Sequence, residues 1–211
     1  MTPNNIVNMS IIKGLDIIAV TDHNTCGNAE SVMRVAEDKI IVVPGMEIET
    51  SEDIHVVSYF KNLDDAKKAE EIIKKSLPKI KNKAEIYGNQ YYMDENDEII
   101  GEEENLLICA CGLNIYEVFE VVKSYGGVPV PAHIDKSSYS VLSNLGFLPE
   151  DLFATSLEIT PKNRFKIENE YKNFNIISNS DAHYLENISE PEFFMELEER
   201  SIKSVLKFLG K

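Results

Sequence analysis

The sequence predicts an α/β fold, a β/α barrel whose strands carry polar chemistry at their carboxyl ends, and three observations predict it. Apolar runs at 14–20, 40–46, 128–132 and 174–180 end abruptly in Asp22-His23, Glu47, His133 and Asp181-Ala182-His183. Buried parallel strands that stop at a site have this pattern. A further run, 54–60, holds His55 near its start, so each of the four histidines lies on or just after a β-like segment. Between the runs lie stretches with helical apolar spacing, and this α-β-α-β rhythm implies parallel strands joined by crossover helices. A barrel of this kind brings the ends of several strands to one mouth.

Taken in order, Thr2 and Pro3 read as the N-cap and first position of a helix over 3–13 that Gly14 stops. The first strand leads into Asp22, His23 and a polar turn over 24–28, followed by a helix over 29–37 with Val32, Val35 and Ala36 inward. The strand over 40–46 carries Glu47, residues 51–53 turn, and 54–60 is a strand. Residues 64–76 form an exposed helix whose Lys67-Lys68 and Lys74-Lys75 pairs face acidic neighbours such as Glu70 and Glu71, a solvated face rather than a basic patch. The rhythm then breaks. Residues 91–101 read as a β-hairpin with an acidic turn that lacks the spacing of a calcium loop, so about 77–105 is a small insertion.

Asn114 with Glu117 opens a helix over 115–125, ended by Gly126-Gly127 before the strand to His133. A helix over 139–145 is expected to be capped by Ser137 or Ser138. Short strands are expected at 157–159 and 175–180, a mixed segment at 162–171, a last strand at 193–197 and a closing helix at 202–209. The whole chain, 1–211, reads as one domain.

A formal charge of −15, from 36 acidic and 21 basic residues, argues against a broad nucleic-acid face and against anionic membranes. No apolar run approaches a membrane span, and no signal peptide is visible. Three cysteines, Cys26, Cys109 and Cys111, make no disulfide framework and fit a reducing, cytoplasmic setting. His, Asp and Glu gathered at strand ends are ligand types suited to zinc, manganese and iron.

Thr21-Asp22-His23-Asn24, Pro44-Gly45-Met46-Glu47, Pro131-Ala132-His133 and Ser180-Asp181-Ala182-His183 resemble, in order and spacing, motifs of the PHP (polymerase and histidinol phosphatase) family of metal-dependent phosphoesterases. The resemblance spans about residues 3–183 and implies a distorted (β/α)7-type barrel. It implies a divalent metal site of His23, Glu47, His55, His133, Asp181 and His183 for zinc, manganese or iron, with up to three ions in a full-length form and fewer here, and with Glu47 a bridge. Asp22, His23 and Asp181 are its catalytic candidates, and Asp22 either orients a neighbour or caps the following turn. Lys136 stands where relatives carry an arginine, and Lys162 and Arg164 are further candidates for binding phosphate.

The family's opening His-x-His strand has no counterpart here, so the expectation is a barrel with a missing or incomplete first strand. An unpaired strand edge of that kind favours a homo-oligomer. The activity expected is hydrolysis of a small phosphate ester by a metal-activated water. The alternative is a PHP-like scaffold without catalysis, because the first metal-binding motif is absent. An amidohydrolase-type metal site ranks third.

Overall fold

The structure is a computed structural model that describes residues 1–160, 167 and 169–211. The elements run α1 (Pro3–Ile12), β1 (Ile17–Val20), α2 (Ala29–Ala36), β2 (Ile41–Glu49), β3 (His55–Tyr59), α3 (Leu63–Ser76), α4 (Ala84–Tyr87), β4 (Tyr91–Met93), β5 (Ile99–Glu102), α5 (Ile115–Ser124), β6 (Val128–Pro131), α6 (Val141–Leu145), β7 (Ser156–Ile159), β8 (Asn175–Ser178) and α7 (Ile202–Leu209). The mixed segment expected at 162–171, with Lys162 and Arg164, lies largely outside the described residues.

The expected α/β class holds, but the sheets are open and mixed, and among the described residues no closed barrel forms. One sheet has the order β1-β2-β3-β6, β7 pairs with β8, and β4 pairs with β5. β1 is parallel to β2, whereas β3 is antiparallel to both β2 and β6. The cause is the connection between β2 and β3. Thr50 and Ile54 close a tight turn through Thr50 N–H to Ile54 O at 2.9 Å, and so short a link cannot make the crossover that a parallel pair needs. Among the described residues β1 and β8 each pair on one side only.

Period-two alternation along β2 explains how one strand serves both core and site. Val42, Met46 and Ile48 join Val56 and Phe60 in the larger core, which α2, α3 and α5 cover with Val32, Ile73 and Val118. The opposite face carries Val43 with Val57, Tyr59 and Val130, and α7 closes that smaller cluster with Val205 and Leu209. The last carbonyls of α7 are satisfied from the strands. Leu209 O accepts from the Thr155 and Ser156 hydroxyls at 2.7 Å, and Phe208 O accepts from Asn175 Nδ2 at 2.8 Å.

Local expectations fare unevenly. The capping box of Asn114 and Glu117 forms. Lys74 pairs with Glu70 at 3.0 Å, Lys67 with Glu30 at 2.7 Å and Lys68 with Asp65 at 3.3 Å, as a solvated helix face requires. The hairpin at 91–102 forms, and Asp94 fixes its turn by accepting the Asn96 and Glu98 N–H groups. Asp97 in that turn accepts from Thr2 Oγ1 and Asn4 N, tying the hairpin to α1. The helix expected at 139–145 starts later, at Val141, because Ser140 supplies the cap by accepting from Ser143 N.

No strand forms at 193–197 among the described residues. Phe193, Met195 and Leu197 nevertheless alternate inward against exposed Phe194, Glu196 and Glu198 and pack on the smaller cluster. Cys109 and Cys111 lie in irregular chain and pack against the larger core. No helix among the described residues is long and apolar enough to cross a membrane.

Candidate metal centre

Backbone pairing brings the first three candidate side chains together. The β1–β2 register is kept three residues past Val20 as an isolated parallel bridge between His23 and Glu47, fastened by Asn24 N–H to Glu47 O at 2.8 Å and Glu47 N–H to Asp22 O at 3.1 Å. In the antiparallel pair, Glu47 faces Val57 and Glu49 faces His55. Glu47 and His55 therefore sit diagonally on one face, within reach of each other. The reversal of β3 explains why His55, at the start of its strand, joins residues at the ends of others. Ala132 N–H bonds His55 O at 3.0 Å and sets His133 beside it.

The resulting cluster is tight. Glu47 Oε1 lies 3.0 Å from His55 Nδ1 and 3.5 Å from His133 Nε2, and Oε2 lies 3.6 Å from His23 Nδ1. The His55 and His133 ring nitrogens face each other at 3.2 Å. Glu49 approaches the far side of His55 at 3.9 Å. His183 is half exposed, its ring centroid 5.8 Å from that of His23, and its Nδ1 lies 3.0 Å from Asp181 O. Lys136 Nζ donates to Asp181 Oδ2 at 2.5 Å. Asp22 is exposed at the same groove of about 590 Å³ that His23, Glu47, Asp181 and His183 line.

The electrostatics follow from burial and pairing. Burial alone would raise the Glu47 carboxyl, but hydrogen bonds with His133 and His55 hold it well below the usual carboxylate range. Burial opposes charge on His55 too, yet the Glu47 and Glu49 carboxylates beside it push it up to about 9. Burial pushes the His23 imidazole below its ordinary value, against the pull of Glu47. Beneath the cluster, burial raises Glu158, whose oxygens accept from His133 N–H at 3.1 Å and Asn179 Nδ2 at 2.6 Å. The Cys26 thiol, pushed far up by burial and by the neighbouring Glu70 carboxylate, makes no nucleophile.

These donors fit a divalent ion. His23, Glu47 and His55 each offer a ligand atom, and the three atoms lie within 4.8 Å of one another. The Glu47, His55 and His133 atoms are separated by 3.0–3.5 Å. Metal bonds of about 2.0–2.2 Å in a tetrahedron place donors roughly 3.4 Å apart. His23 Nδ1 and His133 Nδ1 are buried and, among the described residues, without a hydrogen-bond partner, which is costly for a polar atom that meets neither protein nor ion.

The backbone is strained here. Asn24, His133, Tyr139 and Asp181 adopt φ of 52°, 29°, 55° and 49°, the left-handed region that non-glycine residues avoid. Such strain gathers where function over-determines geometry.

Sequence reasoning missed Glu49, Glu158 and Tyr139. Glu49 was detectable, since a residue two positions from Glu47 on a strand shares its face. Glu158 stood as a lone carboxyl between Leu157 and Ile159. Tyr139, whose ring stacks on His55 at 4.8 Å and 24°, gave no signal.

No protein-family model and no curated protein matches the sequence. Solved structures do match. The lesion-specific endonuclease Q of Pyrococcus furiosus superposes with a TM-score of 0.67 at 16% identity over 100% of this chain and 51% of that one, so the chain spans about half its length. A second endonuclease Q structure, holding a 27-mer duplex with an abasic lesion at its active site, gives 0.63 at 16% identity over 98% of this chain and 51% of that one. A protein of Bifidobacterium adolescentis assigned as a metal-dependent phosphoesterase gives 0.54 at 17% identity, covering 99% and 90%. An amidohydrolase of Chromobacterium violaceum, solved with sulfate and no metal, gives 0.63 at 12% identity, covering 98% and 91%.

The duplex complex overturns the expectation of a small phosphorylated substrate and no broad nucleic-acid surface. That expectation rested on net charge, which sums the whole surface, whereas a strand is held by local contacts. At these identities the likeness establishes the fold, and the chain has a PHP-like α/β fold in common with endonuclease Q.

Proposed function

We propose that the chain is a metal-dependent phosphoesterase acting on phosphodiester bonds of nucleic acid. The observation that carries this reading is one carboxylate, Glu47, ringed by three imidazoles at 3.0–3.6 Å. His23, Glu47, His55 and His133 would hold divalent metal, with Asp181 and His183 completing the set from β8, and the mixed His/carboxylate chemistry suits zinc, manganese or iron. Bound there, such ions lower the pKa of a coordinated water and shield phosphoryl oxygens.

The chain's own residues do the rest. Glu47 and Glu49 grip His55 from either side and fix its ring. Glu158 and Asn179 support His133 through its backbone N–H, and Asp22, at the groove, orients what enters. Lys136, neutralised by Asp181 at rest, supplies a positive point charge beside the cluster for a phosphate oxygen. That local charge, with the metal, opposes the repulsion of an acidic surface.

The test pairs metal content with cleavage. Protein loaded with manganese or zinc should bind at least one ion per chain and cut an end-labelled oligonucleotide carrying an abasic site. Glu47→Gln should lose both, the metal affinity by more than the roughly 10–100-fold that removing a supporting partner costs. A wild-type chain that takes up no metal and leaves the strand intact would sink the reading.

A further inference from the structure

We infer that Tyr139 is a substrate-positioning residue whose ring is a platform for a nucleobase beside the scissile phosphodiester. The inference rests on the function proposed above and names how that site grips its substrate.

The ring lies over His55, with centroids 4.8 Å apart and planes 24° from parallel. It is nonetheless 47% exposed, so one face meets the imidazole and much of the rest faces solvent. The backbone resists this placement. Tyr139 holds φ +55°, a conformation in which a bulky residue is an outlier. The loop that imposes it is fastened around the tyrosine. Asp135 accepts from Thr160 N–H at 2.9 Å, and Lys136 bonds Asp181 at 2.5 Å. Tyr139 O itself accepts from His55 N–H at 3.0 Å, and Ser140 caps α6. A half-exposed aromatic ring thus lies over a candidate ligand, on a loop tied down on both sides of it.

Stacking on an aromatic ring works through the π-face that every base has, not through charge on the protein. It suits a chain whose formal charge is −15. Tyr139 and Lys136 lie three residues apart in one loop, so the same loop offers a base platform and a phosphate charge. Base and phosphate of one nucleotide would be held together.

The test uses the full chain, loaded with manganese, and an abasic-site oligonucleotide carrying 2-aminopurine next to the lesion, whose fluorescence falls on stacking. Wild type and Tyr139→Phe should quench the probe alike. Tyr139→Leu should abolish quenching and raise KM about 5- to 150-fold, the range that base–aromatic stacking supplies, with metal content and kcat little changed. Equal quenching and KM in wild type and Tyr139→Leu would overturn the platform. So would a Tyr139→Leu variant whose only change is lost metal, since that marks a mere support for His55. Wild type that cuts the strand without quenching refutes the platform and leaves the phosphoesterase reading standing. Wild type that quenches without cutting does the reverse.

Discussion

Glu47 Oε1 lies 3.0 Å from His55 Nδ1, and this contact sets how the site responds to pH. Burial works against a charged imidazole, but the neighbouring Glu47 and Glu49 carboxylates push His55 up to about 9, above its ordinary 6.5. For the metal-free protein the sign follows. The stabilisation is complete below the unfolded value and is lost as pH rises through about 9, an effect on the order of 3 kcal/mol. The depressed Glu47 carboxyl is the same contact seen from its partner and is not added again. A divalent ion competes for the same nitrogen, so metal affinity should climb roughly tenfold per pH unit until His55 is deprotonated. Calorimetric titrations in buffers of different ionisation enthalpy check this. Binding near neutral pH without proton release would refute it.

Lys136 and Asp181 form a partly exposed pair. Pairs of this kind contribute about 0–1 kcal/mol, so Lys136→Met should leave the melting temperature nearly unchanged. It should lower kcat/KM by roughly 10²-fold, as removing one donor to a developing oxyanion does. Steady-state kinetics beside a thermal melt separates the two effects. A variant that melts early yet turns over normally would place Lys136 in the scaffold instead.

Asn24 fastens the chain after His23 to its surroundings. Its side-chain amide donates to Leu107 O at 2.8 Å and Cys109 O at 3.0 Å, and its oxygen accepts from Glu49 N–H at 3.2 Å. Asn24→Ala leaves buried backbone groups unpaired, at about 1–3 kcal/mol, and retains the left-handed backbone that asparagine tolerates and alanine does not. Denaturant unfolding should show a lower midpoint with an unchanged slope. No shift in the midpoint would contradict this account.

Gly45, two residues before Glu47, has no room for a side chain. A Cβ there would lie 2.5 Å from Ser58 O and 3.0 Å from Thr21 Cγ2. Backbone in a central sheet cannot step aside cheaply, so Gly45→Ala should destabilise by about 1–3 kcal/mol. It should also loosen metal binding, because β2 and β3 would part at the Glu47–His55 contact. A melt together with metal uptake measures both, and a fully stable, fully loaded variant would refute the close-packing argument.

The residues of the candidate site were legible because polar side chains at the ends of apolar runs contrast sharply with their neighbours. His23, Glu47, His133, Asp181 and His183 stand out for that reason. The arrangement around them was less legible. The apolar run over 54–60 carries no label for direction, and only the brevity of the Thr50–Ile54 turn reveals that β3 runs backwards. Phe193, Met195 and Leu197 display a strand's period without forming one. Periodicity reports which side chains face the core, and it is silent on whether a neighbouring backbone is near enough to pair. Glu158 and Tyr139 depend on long-range packing and became visible only in the fold.

The left-handed backbone at His133, Tyr139 and Asp181 has a bearing on how this protein tolerates change. For Tyr139 this costs about 1–2 kcal/mol that glycine or asparagine would recover in part, and for His133 and Asp181, residue types that enter this region more readily, it costs less. Selection for robustness alone would push these three positions toward small, permissive residues, and selection for use would hold the imidazole, the phenol and the carboxylate in place. Thermal hardiness and activity therefore pull against each other at single positions, and a more heat-resistant descendant of this chain is reached most easily by changes elsewhere in the fold.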